Sequence, residues 1–281
     1  MKKMKRIDTL THQLEANLAK FRCPHCKSPF TGVQNHSLHC TNGHTFNINK
    51  KGYIHLLTST HKTLYDTTLF AARNFIYEAN IYEAFLVDLM QQMQSLTQKS
   101  TVLDAGCGEG YFLNKIAQKL TEPTYIGIDI AKDGLIAATK SESPIIWTVG
   151  DLANLPLQDN SLDLILNILS PANYEEFQRT LKPEGNLLKV VPGQDYLKEI
   201  RTAIKGKPHS NELVIQQFSK HFKLIHTTSV TYPISITPEL WTHLIRMTPM
   251  TASLSKEELH QLEQTPAPTI TIDLVILVGM S

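Results

Sequence analysis

The chain has 281 residues, 27 Lys and Arg against 26 Asp and Glu, 42% hydrophobic residues and four cysteines. That length buries a sizeable core, as one large domain or as one of about 150–200 residues with an attachment, and an ordinary apolar fraction at a net charge of +1 excludes disorder throughout. No run of about 18 apolar residues occurs, and the opening MKKMKRIDTLTHQ has no apolar stretch behind its charges. This argues against a membrane span or secretory signal and for the cytoplasm, and four cysteines are too few for a disulfide framework.

Near-neutrality is an average over unlike parts. Residues 1–62 carry ten basic side chains and two acidic ones, Asp8 and Glu15, for +8, which leaves about −7 on the remainder. Residues 1–20 read as a basic extension whose role the sequence leaves open. A basic module joined to an acidic body reads as an anion-binding, nucleic-acid-facing appendage.

Residues 21–57 form the first module. Cys23-x2-Cys26, thirteen residues, then Cys40-x3-His44 place four soft or borderline ligands on two knuckles, the arrangement of a tetrahedral Zn²⁺ site. His25, His36 and His39 compete for the fourth position; His44 is preferred because Cys40-Thr-Asn-Gly-His44 mirrors the first knuckle with a turn at Gly43. A closed four-ligand site is structural, and with Phe30, Leu38, Phe46 and Ile48 as almost its only apolar filling the module is expected to need the metal to fold.

Residues 58–98 start polar and become helical. Phe75, Ala79, Tyr82, Leu86 and Leu89 recur at spacings of three and four, the mark of one apolar helical face, so this pattern directs Tyr82 to the core.

Residues 99–281 alternate strand and helix patterns. Thr101–Ala105 precedes a helical YFLNKIAQKL, Tyr125–Ile130 a helical AKDGLIAATK, and IIWTVG, Leu162–Ile168 and NLLKVV follow, with closing strands near Phe222–Tyr232 and Thr269–Val278. This alternation predicts an open, mostly parallel α/β sheet with helices on both faces and an antiparallel edge. Gly106, Gly108 and Gly110 end the first strand and open a helix, and Asp129 ends the next strand, where a carboxylate grips ribose hydroxyls. Either a nicotinamide dinucleotide or S-adenosylmethionine suits this much. The G-x-G-x-G spacing and Asp104 favour S-adenosylmethionine, because a carboxylate there is awkward beside pyrophosphate and suits an ammonium group. Asp151 then supplies an acceptor for the adenine amino group, with Leu152 as apolar support; Tyr111 and Ile130, next to Gly110 and Asp129, are grouped with these contacts. Cys107 lies in the loop without a neighbouring base and is not assigned as a nucleophile.

Together, CPHC and CTNGHTFNINKKGYIHLL, VLDAGCGEGYF, GIDIAKDGLIAA, LPLQDNSLDLILNILSP and LKPEGNLLKVVPGQDYLKEI closely resemble the bacterial 23S ribosomal RNA guanine-N1 methyltransferases of the RlmA family, over about residues 21–250. The resemblance implies a class I (Rossmann-like) S-adenosylmethionine-dependent methyltransferase with a mostly parallel seven-stranded sheet and a small N-terminal zinc domain. It implies methylation of guanine N1 in a hairpin loop of 23S rRNA, by a homodimer whose zinc modules help bind the RNA. Residue by residue, it implies Cys23, Cys26, Cys40 and His44 as zinc ligands, brings Tyr82 back beside the cofactor, and adds His209 near its methionine end. Asn167, Ser170 and Pro171 fall where class I enzymes face the methyl group, and are candidates to orient the target base; capping the strand end is an equal reading of Asn167. No residue is assigned to accept the N1 proton. The connector HKTLYDTTLFAARNF is shorter than in typical relatives, so the expectation is firmer for cofactor than for acceptor. Another RNA, a small molecule and a non-catalytic RNA-binding role are the rival readings.

Overall fold

The computed structural model describes residues 4–59, 67–96, 100–141, 144–207 and 209–281. Lys2, Lys3, Lys62 and residues 61–66 of the connector lie outside these.

The N-terminal part begins with helix α1 (Arg6–Ala16) and continues as a three-stranded antiparallel ribbon, β1 (Phe30–Gln34), β2 (Ser37–Cys40) and β3 (Thr45–Asn47), before the two-residue strand β4 (Ile54–His55). Helices α2 (Thr67–Glu78) and α3 (Glu83–Gln94) follow. The expected single apolar face is broken here: Asn80 takes φ +56 and turns the chain, so Leu86 and Leu89 are buried on α3 while Ala79 is exposed.

The remaining chain alternates β5 (Thr101–Ala105), α4 (Tyr111–Lys119), β6 (Thr124–Asp129), α5 (Lys132–Ala138), β7 (Ile145–Val149), β8 (Leu162–Ile168), α6 (Tyr174–Thr180) and β9 (Leu181–Pro192). It closes with α7 (Lys198–Ala203), α8 (Glu212–His221), β10 (Lys223–Ser235), α9 (Pro238–Met247), α10 (Lys256–Glu263) and β11 (Thr269–Met280). Local signals fix several ends: Asn173 caps α6 through Glu176 N–H, Thr237 caps α9 ahead of Pro238, and Ser255 with Glu258 forms a capping box on α10.

These strands form one sheet in the order β10-β11-β9-β8-β5-β6-β7-β4. Strands β4 to β9 pair in parallel, and β11 runs antiparallel to both β9 and β10. The expected seven strands are therefore eight, because the end of the zinc module adds β4 beside β7 with Ile54 opposite Thr148. The strand ends that matter for a ligand, after Ala105, Asp129 and Val149, open on one edge of the sheet, where doubly wound folds bind ligands.

Alternation along the strands separates two cores. Val102, Tyr125, Trp147, Leu164 and Leu166 face α3, α4, α5 and α9. Leu103, Ala105, Ile126, Ile128, Ile146 and Ile165 face the other way, onto Phe177 and Phe218 and also onto Leu10, Leu14, Phe21, Phe30, Leu38 and Ile48. The ribbon and α1 thus share a core with the sheet, covering the stretch where the β7–β8 connection forms no helix. The basic extension is a folded helix whose Leu10 and Leu14, four apart, are its anchoring side chains, and the apolar filling of the zinc module is supplied largely by the sheet beneath it. Among the described residues no helix is long and apolar enough to cross a membrane.

Candidate zinc centre and cofactor pocket

Cys23, Cys26, Cys40 and His44 converge with all four ligand atoms within 4.8 Å of one another. Cys26 Sγ is 3.8 Å from Cys40 Sγ, and His44 Nδ1 is 3.6 Å from Cys23 Sγ and 3.4 Å from Cys40 Sγ. Bonds of about 2.0–2.3 Å to a tetrahedral ion hold ligand atoms about 3.3–3.8 Å apart, the range of these three distances, so the donor set suits Zn²⁺. Gly43 supplies the turn at φ +81, and His44 N–H points at Cys40 Sγ over 3.3 Å. Hydrogen bonds from the Ser28 side chain and N–H hold the Cys26 thiol down to about 6, ready to bind as thiolate. The rival histidines are engaged elsewhere: His25 stacks on His44 and Phe46, His36 meets Thr11 and Asp8 of α1, and His39 Nδ1 lies 3.1 Å from Thr45 Oγ1.

The first knuckle is fastened to the loop after β7. Arg22 N–H donates to Pro156 O over 3.1 Å, Asn154 Nδ2 to Pro24 O over 3.2 Å, Lys27 Nζ to Asn154 Oδ1, and Phe21 bridges Leu157. Arg22 also pairs with Asp159 at 3.2 Å, so part of the +8 is turned inward. Asp151 and Leu152, the expected adenine contacts, begin this braced loop, and Asp151 Oδ1 accepts Ala153 N–H at 2.8 Å.

The glycine loop lies where β5 meets α4. At Gly106, φ is +84 and a Cβ would stand 1.9 Å from Ser170 Oγ, so any side chain expels the Ser170 loop. We expect Gly106→Ala to lose about 1–3 kcal/mol of stability and measurable S-adenosylmethionine binding; wild-type affinity by calorimetry would contradict this. Gly110 serves packing under the loop, since its missing Cβ makes room for Trp147 at 2.4 Å and Ala138 at 2.9 Å. Asp129 accepts Gly108 N–H at 2.8 Å and Ala131 N–H at 2.7 Å, and its carboxylate keeps lone pairs for ribose hydroxyls.

The hollow over this loop is lined by Arg73, Tyr77, Asp104, Gly106, Cys107, Glu109, Tyr111, Phe112, Ile168 and Leu169. A larger groove of about 220 Å³, between α1, Lys51–Gly52 and Trp147, holds no cluster of reactive groups. Asp104 and Glu109 are 2% and 5% exposed. Burial, reinforced by Asp129, pushes the Asp104 carboxyl up to about 8, and burial also raises Glu109 and Asp129. Arg73 faces these carboxyls: its Nε is 3.0 Å from Glu109 Oε1, and its Nη2 donates to Tyr77 OH over 3.0 Å. Asp104 Oδ1 is buried with no hydrogen-bond partner among the described residues. Such an anionic pocket opposes a pyrophosphate. It suits S-adenosylmethionine, whose sulfonium and ammonium outweigh its one carboxylate. Burial and Asp104 hold the Cys107 thiol well above its ordinary range, so it stays a protonated, unreactive thiol.

Arg73, Tyr77 and Glu109 were not assigned from sequence. The available signal was Arg73-x3-Tyr77, one helical face carrying a cation and a phenol toward the same place. Tyr111 does line the hollow, stacked on Tyr77 with ring centroids 4.2 Å apart. Tyr82 is 1% exposed and lies behind this layer, its hydroxyl 2.8 Å from Tyr196 OH and its ring edge-on to Phe112. His209 is not among the lining residues: its Nε2 meets Asn211 Oδ1 at 2.9 Å, and Asn211 in turn bonds Pro192 O at the end of β9.

Asn167 departs from its expected role on a guanine edge. It is fully buried; Nδ2 donates to Ala105 O at 2.8 Å and Pro171 O at 3.0 Å, and Oδ1 accepts from Lys189 Nζ at 2.6 Å. Both ends of the amide are engaged, an arrangement that matches the strand-capping reading. Ser170 is half-buried and Pro171 exposed at the rim.

A family model described as the RlmA N-terminal zinc ribbon matches residues 21–63, and a methyltransferase-domain model matches residues 102–185. YxjB of Bacillus subtilis (strain 168), named as a 23S rRNA (guanine-N(1)-)-methyltransferase, is 35% identical over 278 residues, covering 94% of this chain and 98% of its own length. The 23S rRNA (guanine(748)-N(1))-methyltransferase of Streptomyces fradiae is 29% identical over 75% of this chain and 79% of its own. Among solved structures, a chain of the Haloferax volcanii complex between the Trm112 methyltransferase activator and a methyltransferase shares the fold. Its TM-score is 0.50 at 17% identity, over 78% of this chain and 99% of that one. Ribbon and methyltransferase domain recur in the same order along nearly the whole chain, and the protein belongs to the RlmA family of 23S rRNA (guanine-N1)-methyltransferases.

Proposed function

We propose that the protein transfers the methyl group of S-adenosylmethionine to N1 of a guanine in a hairpin loop of 23S rRNA. The observation that carries this is the fastening of an RlmA-type zinc ribbon to the loop beside an anionic, cation-seeking pocket. In this reading Asp104 receives the ammonium group, Asp129 and Ile130 the ribose, and Asp151 with Leu152 the adenine. Gly106 and Gly108 permit close backbone approach, Gly110 and Tyr111 shape the loop, and Tyr82 supports Tyr77 and Phe112 from behind. His209 closes the methionine end from the α7–α8 connection.

The cofactor supplies an electrophilic methyl carbon with a neutral thioether as leaving group. The chain then has to align the acceptor nitrogen with that carbon and keep water out. Guanine N1 loses its proton as its lone pair forms the new bond, and because N1 lies on the Watson–Crick edge the base must be unpaired, as in a loop. Lys5, ahead of α1, and Lys50 and Lys51, after β3, are exposed and available to phosphates. The reading includes a homodimer; exposed Leu224 and Ile225 on β10, an edge strand among the described residues, support it.

Mass mapping of 23S rRNA from a deletion strain should lack one N1-methylguanine that the wild-type gene restores, and sedimentation should give twice the 31.7 kDa chain mass. An unchanged map removes the assignment. Labelling of transfer RNA in place of ribosomal RNA by purified enzyme would move the acceptor.

A further inference from the structure

The turn that leaves β8 is held over the glycine loop by a buried cation. Lys189, opposite Asn167 in the β8–β9 pairing, is 5% exposed. Its Nζ donates to Asn167 Oδ1 at 2.6 Å and to Ser170 O at 3.1 Å, while Asn167 reaches Ala105 O and Pro171 O. One lysine and one asparagine therefore tie the end of β5 to both Ser170 and Pro171. Leu169, between Asn167 and the tied Ser170, sits at φ +50, with its N–H bonded to Val190 O at 3.0 Å. Its side chain is 38% exposed and lines the hollow above Asp104 and Gly106.

Both features are costly for folding alone. A left-handed conformation is unfavourable for a side chain bulkier than glycine, and a lysine is seldom buried in a sheet whose neighbours on the same strand, Leu188 and Val190, are fully apolar. Burial lowers its pKa to about 8, the mark of that desolvation. A glycine at 169 would follow the same backbone path at less cost, but it would not supply an apolar side chain at the rim where an acceptor meets the methyl donor. Lys189 in turn gives Asn167 Oδ1 and Ser170 O the donor that an apolar residue would deny them, and so holds that side chain in place.

We propose that Leu169 is the platform on which the flat face of the target base rests, and that Lys189 is the positioning residue that fixes it through Asn167 and the Ser170 carbonyl. Recognition is by apolar contact with a planar purine face, so the platform sets the angle of attack and adds no hydrogen bond. The inference rests on the acceptor being a nucleobase, as proposed above.

The test compares wild type, Leu169→Ala and Lys189→Met on a 23S rRNA hairpin fragment. The first variant changes a partly exposed side chain and should fold. Because misplacement of a reacting group by about 1 Å costs on the order of 100-fold, kcat should fall about 10-fold in Leu169→Ala and about 30-fold or more in Lys189→Met. In both, the S-adenosylmethionine dissociation constant and the KM for RNA should stay within about threefold. A folded Leu169→Ala enzyme with wild-type kcat overturns the platform, and so does a loss of cofactor affinity that matches the loss of rate. If wild type itself leaves the fragment unmethylated, the nucleobase acceptor falls and the platform falls with it.

Discussion

Cys26→Ser protein should lose its zinc and, with it, stability across the whole sheet, well beyond residues 21–57. In zinc-finger peptides the metal contributes about 10–16 kcal/mol at neutral pH, and a site with one of four ligands missing gives up a large part of that. The ribbon and α1 cover Ile126, Ile128 and Ile146 on one face of the sheet. Loosening them exposes the strands that carry the glycine loop and Asp129. Trp147 and Trp241 both pack in the other core, but Trp147 also borders the groove beside α1, so Trp241, read in a Trp147→Phe background, reports on the body of the protein. For a chain of this size about 1 kcal/mol moves Tm by roughly 2–4 °C, and we expect the tryptophan and far-ultraviolet transitions to fall together by about 10 °C or more. A tryptophan transition at the wild-type temperature in zinc-free protein would show the ribbon to be independent. Stoichiometric zinc retained by the variant would show that another side chain stands in for Cys26.

The features legible in sequence were those with a local cause. The apolar run Leu162–Ile168, the glycine run and the mirrored knuckles each carry their reason within ten or so residues, and β8, the loop and the ligand cluster appear where that reason puts them. The features that were missed depend on partners far along the chain. Leu10 and Leu14 form a plain i,i+4 pair until the ribbon and sheet meet them; β4 is two residues long and exists only because β7 accepts it. Arg73 finds Glu109 across the helix–loop boundary, and Asn167 is taken up by a lysine on the next strand. Spacing likewise gave Tyr82 to the core and resemblance gave it to the cofactor. In the fold it is buried in the core, as the spacing implies, one layer behind Tyr77 and Phe112. Local pattern specifies what an element is; which buried polar groups meet is decided by packing.

Asp104→Asn should make the free protein more stable at pH 8 and nearly unable to bind S-adenosylmethionine. The Asp104 carboxyl is held at about 8 against an ordinary 3.8. Between those values the folded free protein keeps a proton that the unfolded chain has released, so its stability declines as pH rises from about 4 to about 8 and levels off above. Asparagine carries no such proton and removes that part of the slope. A bound ammonium reverses the preference, because a cation beside the orphaned Oδ1 favours the ionised carboxylate. At pH 7 the wild-type protein should therefore release about one proton per cofactor bound, measurable by calorimetry in buffers of different ionisation enthalpy. Its affinity should rise with pH toward about 8. Losing one partner of a buried charge pair costs about 3–5 kcal/mol, so the variant's affinity should drop more than about 100-fold. Wild-type affinity in Asp104→Asn, or binding without proton release at pH 7, would place the ammonium elsewhere and leave Glu109 or Asp129 to hold it.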